Sequence, residues 1–153
     1  MSLNDININF LILSLRVKDA LAFRDKFIIR GYTMIEEIVL KSGSTIRIGK
    51  NSRDNEILTH VEAGMNDLWF HVEDYSGGHI VLHNDNGMYT KDDIQTAANI
   101  AAYHSKARSD KKVAVMYAVI KDVQKDKRCK MGEVIVNDYK TIIGRPSKPF
   151  RSV

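Results

Sequence analysis

Hydrophobic and polar positions along this chain alternate with period two in some stretches and repeat every three to four residues in others. Ile6 to Leu15 alternates and then turns apolar, which predicts a strand. From Lys18 to Arg30, Ala20, Leu21, Phe23, Phe27 and Ile28 fall on one stripe, which predicts an amphipathic helix ending before Gly31. Thr33 to Leu40 and Thr45 to Ile48 read as strands around a Lys41-Ser42-Gly43-Ser44 turn. Asp54 to Ala63 reads as a short helix. Leu68 to Val72 and His79 to His83 read as the two strands of a hairpin turning at Ser76-Gly77-Gly78.

Thr90 stands where a helix N-cap belongs, with Asp92 and Asp93 in the first turn. The spacing predicts a helix from there to about Ala107, with Ala97, Ala98, Ala101 and Ala102 forming a small-residue face suited to close packing on a sheet. Val113 to Ile120 is rich in β-branched residues and predicts a strand. Glu133 to Val136 and Lys140 to Ile143 predict two more around Asn137-Asp138, and Pro146 and Pro149 mark a loose tail. The sum is a single α+β domain: a mixed, mainly antiparallel sheet with two longer helices and one short one. Its expected parts are a β-α extension over 1–32 packed on the domain, the body over 33–145 and a tail over 146–153.

In the strand Leu68–Val72, Leu68, Phe70 and Val72 point one way and Trp69 and His71 the other. Trp69 is the only tryptophan. Either it offers its face for stacking a base, worth about 1–3 kcal/mol, or it covers a second helix while His71 makes a buried hydrogen bond. His79 and His83 share a strand face but lie roughly 13 Å apart on a regular strand, too far to ligate one metal. No His-Glu-x-x-His or Cys-x-x-Cys pattern occurs. A hydrolase using His71 and His79 needs both imidazoles at one open pocket; no carboxylate pair or serine elbow accompanies them. Gly49-Lys50-Asn51 follows a strand and precedes a helix, which suits a phosphate contact but lacks the full P-loop pattern.

The net charge is +4, yet residues 1–103 hold 10 Lys/Arg and 14 Asp/Glu, while residues 104–153 hold 13 and 5. A basic third on a mildly acidic body is what a polyanion-binding face needs, or it is a solvated surface with no partner. Lys106, Arg108, Lys111 and Lys112 close the long helix, where cations also relieve the helix dipole. Lys121, Lys125, Lys127, Arg128 and Lys130 fall in an expected loop, and Lys140 follows. Cys129 is the one cysteine, so no internal disulfide can form. No apolar run approaches the ~20 residues of a membrane span, and the N-terminus does not read as a signal peptide. The cytosol is the expected compartment, with the nucleus as the alternative.

These segments, taken together, resemble the NFACT-R domain, the RNA-binding module of ribosome-associated quality-control factors also known as fibronectin-binding protein A. The resemblance runs from about residue 33 to 145. It rests on Gly49-Lys50-Asn51 with Asn55 and Leu58-Thr59, on Asp67 with Trp69-Phe70-His71, and on Gly77 with His79. Further along it rests on Ala101-Ala102-Tyr103 with Ser105-Lys106-Ala107, on Val115 with Tyr117, on Gly132, and on Lys140-Thr141. Gly78 replaces the family's usual serine, Met116 its aspartate and Ala118 its threonine, and the stretch from Lys125 to Gly132 lacks the usual prolines. The family's large N-terminal region and coiled coil have no counterpart here, so the expectation is a stand-alone module.

The resemblance implies a non-enzymatic protein that binds ribosomal RNA or tRNA near the large ribosomal subunit. No cofactor, metal, membrane or small-molecule substrate is expected. Phosphates would be gripped by Lys50, Lys106, Arg108, Lys112, Lys121, Lys125, Lys127, Lys130 and Lys140, beside a patch of Asn51, Asn55, Trp69, His71 and His79. The alternatives are DNA binding and a protein-interaction adaptor.

Overall fold

The computed structural model describes residues 35–148. The expected strand Ile6–Leu15, the helix Lys18–Arg30 and the end of the tail lie outside these residues. Six strands form one antiparallel sheet: β1 (Glu36–Val39), β2 (Thr45–Ile48), β3 (Leu68–Val72), β4 (Ile80–His83), β5 (Val113–Val119) and β8 (Lys140–Gly144). Their order is β1-β2-β4-β3-β5-β8. A separate small ribbon pairs β6 (Val123–Gln124) with β7 (Ile135–Val136). The helices are α1 (Ser52–Ile57), continued by a π-helical turn Leu58–Glu62, and α2 (Lys91–Tyr103). The mainly antiparallel α+β domain is the one the periodicity predicts.

The alternation in each strand decides which face is dry. Ile46 and Ile48 of β2, Phe70 and Val72 of β3, Ile80 and Leu82 of β4 and Val115 of β5 are all buried on one face. Ala97, Ala98, Ala101 and Ala102 of α2 cover that face. Burying each large side chain contributes about 1.5–3 kcal/mol, and the alanine stripe lets helix and sheet approach closely. At Gly144 of β8, a Cβ would lie 2.7 Å from the carbonyl oxygen of Ala98. Trp69 and Val81 face each other across β3 and β4 on the opposite face. That face is covered too: Ile57 and Leu58 are buried, and Thr59 of the π-helical turn reaches His79.

Helix α2 starts as predicted. Thr90 accepts a hydrogen bond from the Asp93 N–H, 3.1 Å, which satisfies one of the first turn's free donors. It stops at Tyr103 rather than Ala107. The Ser105 hydroxyl donates to the Ala102 carbonyl and accepts from the Ala107 N–H, which turns the chain away. Gly78 N–H then donates to the His104 carbonyl and Lys106 N–H to that of Ser76. Lys106 and Arg108 therefore lie beyond the helix, not in its last turn. The short helix begins two residues early, at Ser52, because Asn51 caps it by accepting from the Asp54 N–H. β7 and β8 are not neighbours: one pairs with β6 and the other with β5.

Candidate nucleic-acid interface

At one end of the sheet, three segments far apart in sequence meet. Gly49 follows β2, and its N–H donates to the His79 carbonyl. Gly77 bridges to Ser105 beyond α2. Gly78 packs so tightly that a Cβ there would lie 2.2 Å from the Gly49 carbonyl oxygen. A side chain at this position cannot be accommodated here without moving backbone. Around this junction lies a hollow of about 590 Å³. Lys50, Asn51, Asn55, Tyr103, Lys106 and Arg108 are among its lining residues, and none of the lining side chains is acidic.

The cations of the hollow are held differently. Lys50 pairs with Glu36 at 2.9 Å. Arg108 lies over the Tyr103 ring, 4.7 Å from its centroid, and its Nη2 donates to the tyrosine hydroxyl. Stacking of this kind orients a guanidinium without neutralising it. Lys106 is exposed. His104 also lines the hollow, with its Nε2 buried and without a hydrogen-bond partner. Burial, helped by Lys50 and Arg108, lowers the pKa of His104. Sequence reasoning gives Tyr103 and His104 no role, although both stand inside the motif Ala101–Arg108.

Trp69, His71 and His79 do come together, as the alternation predicts. The Trp69 and His71 rings are stacked at 5.8 Å with a 4° interplanar angle. His79 meets both edge-on, at 5.2 and 5.7 Å. They do not form the open stacking patch expected, because α1 and its continuation cover this face. Trp69 is 1% exposed and His79 2%. His79 Nδ1 is 2.7 Å from the Thr59 hydroxyl, and its backbone N–H donates to Asn55 Oδ1 at 3.0 Å. Asn55 is thus a buried strut rather than a surface contact. Burial lowers the His79 pKa to about 3, with His71 and His60 acting in the same direction. The His71 pKa is also lowered by burial, against a 2.6 Å contact from Nδ1 to the Val72 carbonyl. Two neutral imidazoles fixed by Thr59 and a backbone carbonyl are poorly placed to exchange protons with a substrate.

A second, larger cleft of about 930 Å³ lies beside the hollow and shares Ser52, Asn55, Ser76 and Gly77 with it. Trp69, His71 and His79 line it, together with Lys130. Trp69 Nε1 is buried with no hydrogen-bond partner.

The remaining basic residues are dispersed. Val72 of β3 lies opposite Val115 and Leu68 opposite Val119. Lys112, just before β5, therefore sits at the end of the sheet that carries Lys106. Lys121 follows β5 at the other end, about 13 Å away along β3, where its N–H donates to the Met65 carbonyl. Lys140 starts β8 opposite Tyr117, towards that same far end. Lys125 is committed within the chain: its ammonium pairs with Glu56 and donates to the Lys130 carbonyl. Glu56 Oε2 also accepts from the Gly132 N–H at 2.9 Å. Burial would raise the Glu56 pKa, but Lys125 and the Gly132 N–H outweigh it and hold it low. Arg128 pairs with Asp126, and Lys127 is exposed. Among the described residues, no group of three or more His, Cys, Asp and Glu is placed to hold a metal ion. No described helix is long and apolar enough to cross a membrane.

An antiparallel sheet with a helix on each face and a basic hollow at one end defines a small α+β module suited to an anionic partner. The chain belongs to the family described as NFACT protein RNA binding domain, whose model matches residues 34–138. It is 37% identical over 113 residues to the Rqc2 homolog RqcH of Bacillus subtilis, covering 74% of this chain and 20% of the relative. The RqcH of Streptococcus suis is 36% identical over 115 residues, again 74% and 20%. The chain thus spans about a fifth of the length of these relatives. Among solved structures, it is similar to the C-terminal part of the fibronectin/fibrinogen-binding protein of Streptococcus suis. The TM-score is 0.70 at 28% identity, with 92% of this chain and 63% of that one covered.

Proposed function

We propose that this chain is a non-enzymatic RNA-binding module that works in the cytosol on tRNA or ribosomal RNA, in ribosome-associated quality control. The observation that carries this reading is the convergence of residues 49–55, 76–78 and 103–108 around one hollow whose charged lining residues, Lys50, Lys106 and Arg108, are all basic. A phosphate backbone neutralised there releases counterions, so affinity falls with salt. Lys112 extends the same end of the sheet. Lys121 and Lys140 lie too far along the sheet to belong to this grip, and Lys125 is already paired. The large ribosomal subunit is the assembly that the family resemblance implies for such a module.

The test is fluorescence anisotropy with labelled tRNA, single-stranded RNA and duplex DNA at two salt concentrations. The wild type binds RNA in a salt-dependent manner, and the double variant Lys106→Glu, Arg108→Glu loses affinity for every RNA. On single strands its log–log salt slope drops by about 0.7 for each phosphate that is no longer neutralised. An unchanged slope in that variant overturns the reading, and a preference for duplex DNA redirects it.

A further inference from the structure

We infer that the large cleft beside the basic hollow receives an unpaired nucleobase, whose backbone phosphate rests in the hollow. The inference rests on the RNA-binding reading and adds what the second site takes. Two of the described chain's exposed aromatic rings stand at this cleft: Tyr75, 50% exposed, and Tyr139, 47% exposed, with the thioether of Met131 at 57%. Large rings left in water beside a concave site supply stacking surface that any base can use. Trp69 lines the same cleft, and its indole N–H is buried without an acceptor. An unmet buried donor costs about as much as a lost hydrogen bond. A base carbonyl or ring nitrogen is an acceptor of the right kind.

Charge separates the two sites. Glu73, Asp74 and Glu133 line the cleft against Lys130 alone, so it repels phosphate and accepts from amino groups. The hollow has basic side chains and no acidic one. The shared wall formed by Ser52, Asn55, Ser76 and Gly77 places the two within one structure. A nucleotide is the ligand that is anionic at one end and a planar hydrogen-bonding ring at the other.

The test compares a single-stranded RNA oligomer with an abasic oligomer of the same length and charge. The variants are Tyr75→Ala with Tyr139→Ala, at exposed positions that leave the core intact, and Trp69→Phe, which keeps a ring and removes the N–H. Binding of normal RNA to the wild type changes Trp69 emission, which reports on the cleft because no other tryptophan exists. The tyrosine pair weakens normal RNA by about ten-fold or more and leaves the abasic oligomer unchanged. Trp69→Phe also weakens only the normal oligomer. If these variants bind both oligomers like the wild type, or lose both equally, the base site is refuted while RNA binding stands. If the wild type binds neither oligomer at low salt, the RNA-binding reading itself fails.

Discussion

Lowering the pH from 7 to 5 should destabilise this domain through His79, and the size of the effect follows from its burial. The imidazole is 2% exposed, its Nδ1 faces the Thr59 hydroxyl, and burial holds its pKa at about 3. In the unfolded chain a histidine titrates near 6.5. Between those values the unfolded chain binds a proton that the native protein does not, so native stability falls as pH falls. Nothing is lost at pH 7, and the loss is complete below about pH 3. At pH 5 the span from 6.5 corresponds to about 2 kcal/mol from this one residue. His60, His71 and His104 are lowered by burial as well and add losses of the same sign. His83 acts oppositely: burial lowers its pKa, but Asp67 and Asp85 outweigh this and raise it. The variant His79→Gln isolates the residue, since an amide offers a partner for Thr59 but does not titrate. Urea unfolding followed by Trp69 fluorescence at pH 7 and pH 5 gives both stabilities. The wild type should lose about 2 kcal/mol more than His79→Gln over that interval. Equal losses in the two proteins would refute the placement of His79 as a buried neutral base.

Other expectations can be checked by the same unfolding assay. Gly78→Ala puts a methyl group against the Gly49 carbonyl; overpacking of this kind costs about 1–3 kcal/mol, and a midpoint unchanged from the wild type would mean the junction yields freely. Thr90→Ala removes the cap on the Asp93 N–H and should cost about 1 kcal/mol, with Thr90→Ser close to wild type. Lys125→Gln leaves Glu56 without its cation; it should lower stability while leaving the salt slope of RNA binding unchanged, and a flattened slope would return Lys125 to the RNA-binding surface.

The sheet was legible because its periodicity has a simple physical origin. Each strand from β2 to β5 places a hydrophobic residue at every second position on the face that α2 covers, and a period-two pattern is what such a face requires. The end of α2 was not legible. Nothing local breaks a helical pattern before Ala107, and Lys106 and Arg108 look like charges answering a helix dipole. What stops the helix is the Ser105 hydroxyl bonding back to Ala102, with Gly78 held from 26 residues away. Pairing partners were hidden for the same reason: β7 and β8 are adjacent in sequence, but nothing local assigns one to β6 and the other to β5. At the site, alternation correctly set Trp69 and His71 on one face, yet it carries no information about what lies over that face. The cover is α1 and its π-helical turn, and Asn55, which the sequence suggests as a contact, is a strut within it.

Charge shows the same difference between order along the chain and position in space. The basic excess of the last third reads as one surface, but the register divides it. Lys106, Arg108 and Lys112 join Lys50 at one end of the sheet, while Lys121 and Lys140 lie towards the other. The run between Lys125 and Lys130 is drawn back onto α1: Glu56 takes the Lys125 ammonium and the Gly132 N–H together. Gly132 adopts φ +84 there, and a Cβ on it would lie 3.1 Å from Ser52 Cα. A segment that looks like a second phosphate grip is thereby fixed as a wall, with Met131 and Glu133 lining the cleft. Its lysines cannot all be counted as affinity. On the proposed reading the cations at the hollow set the number of phosphates held, and a salt slope larger than those residues supply would place further phosphates on Lys121 or Lys140.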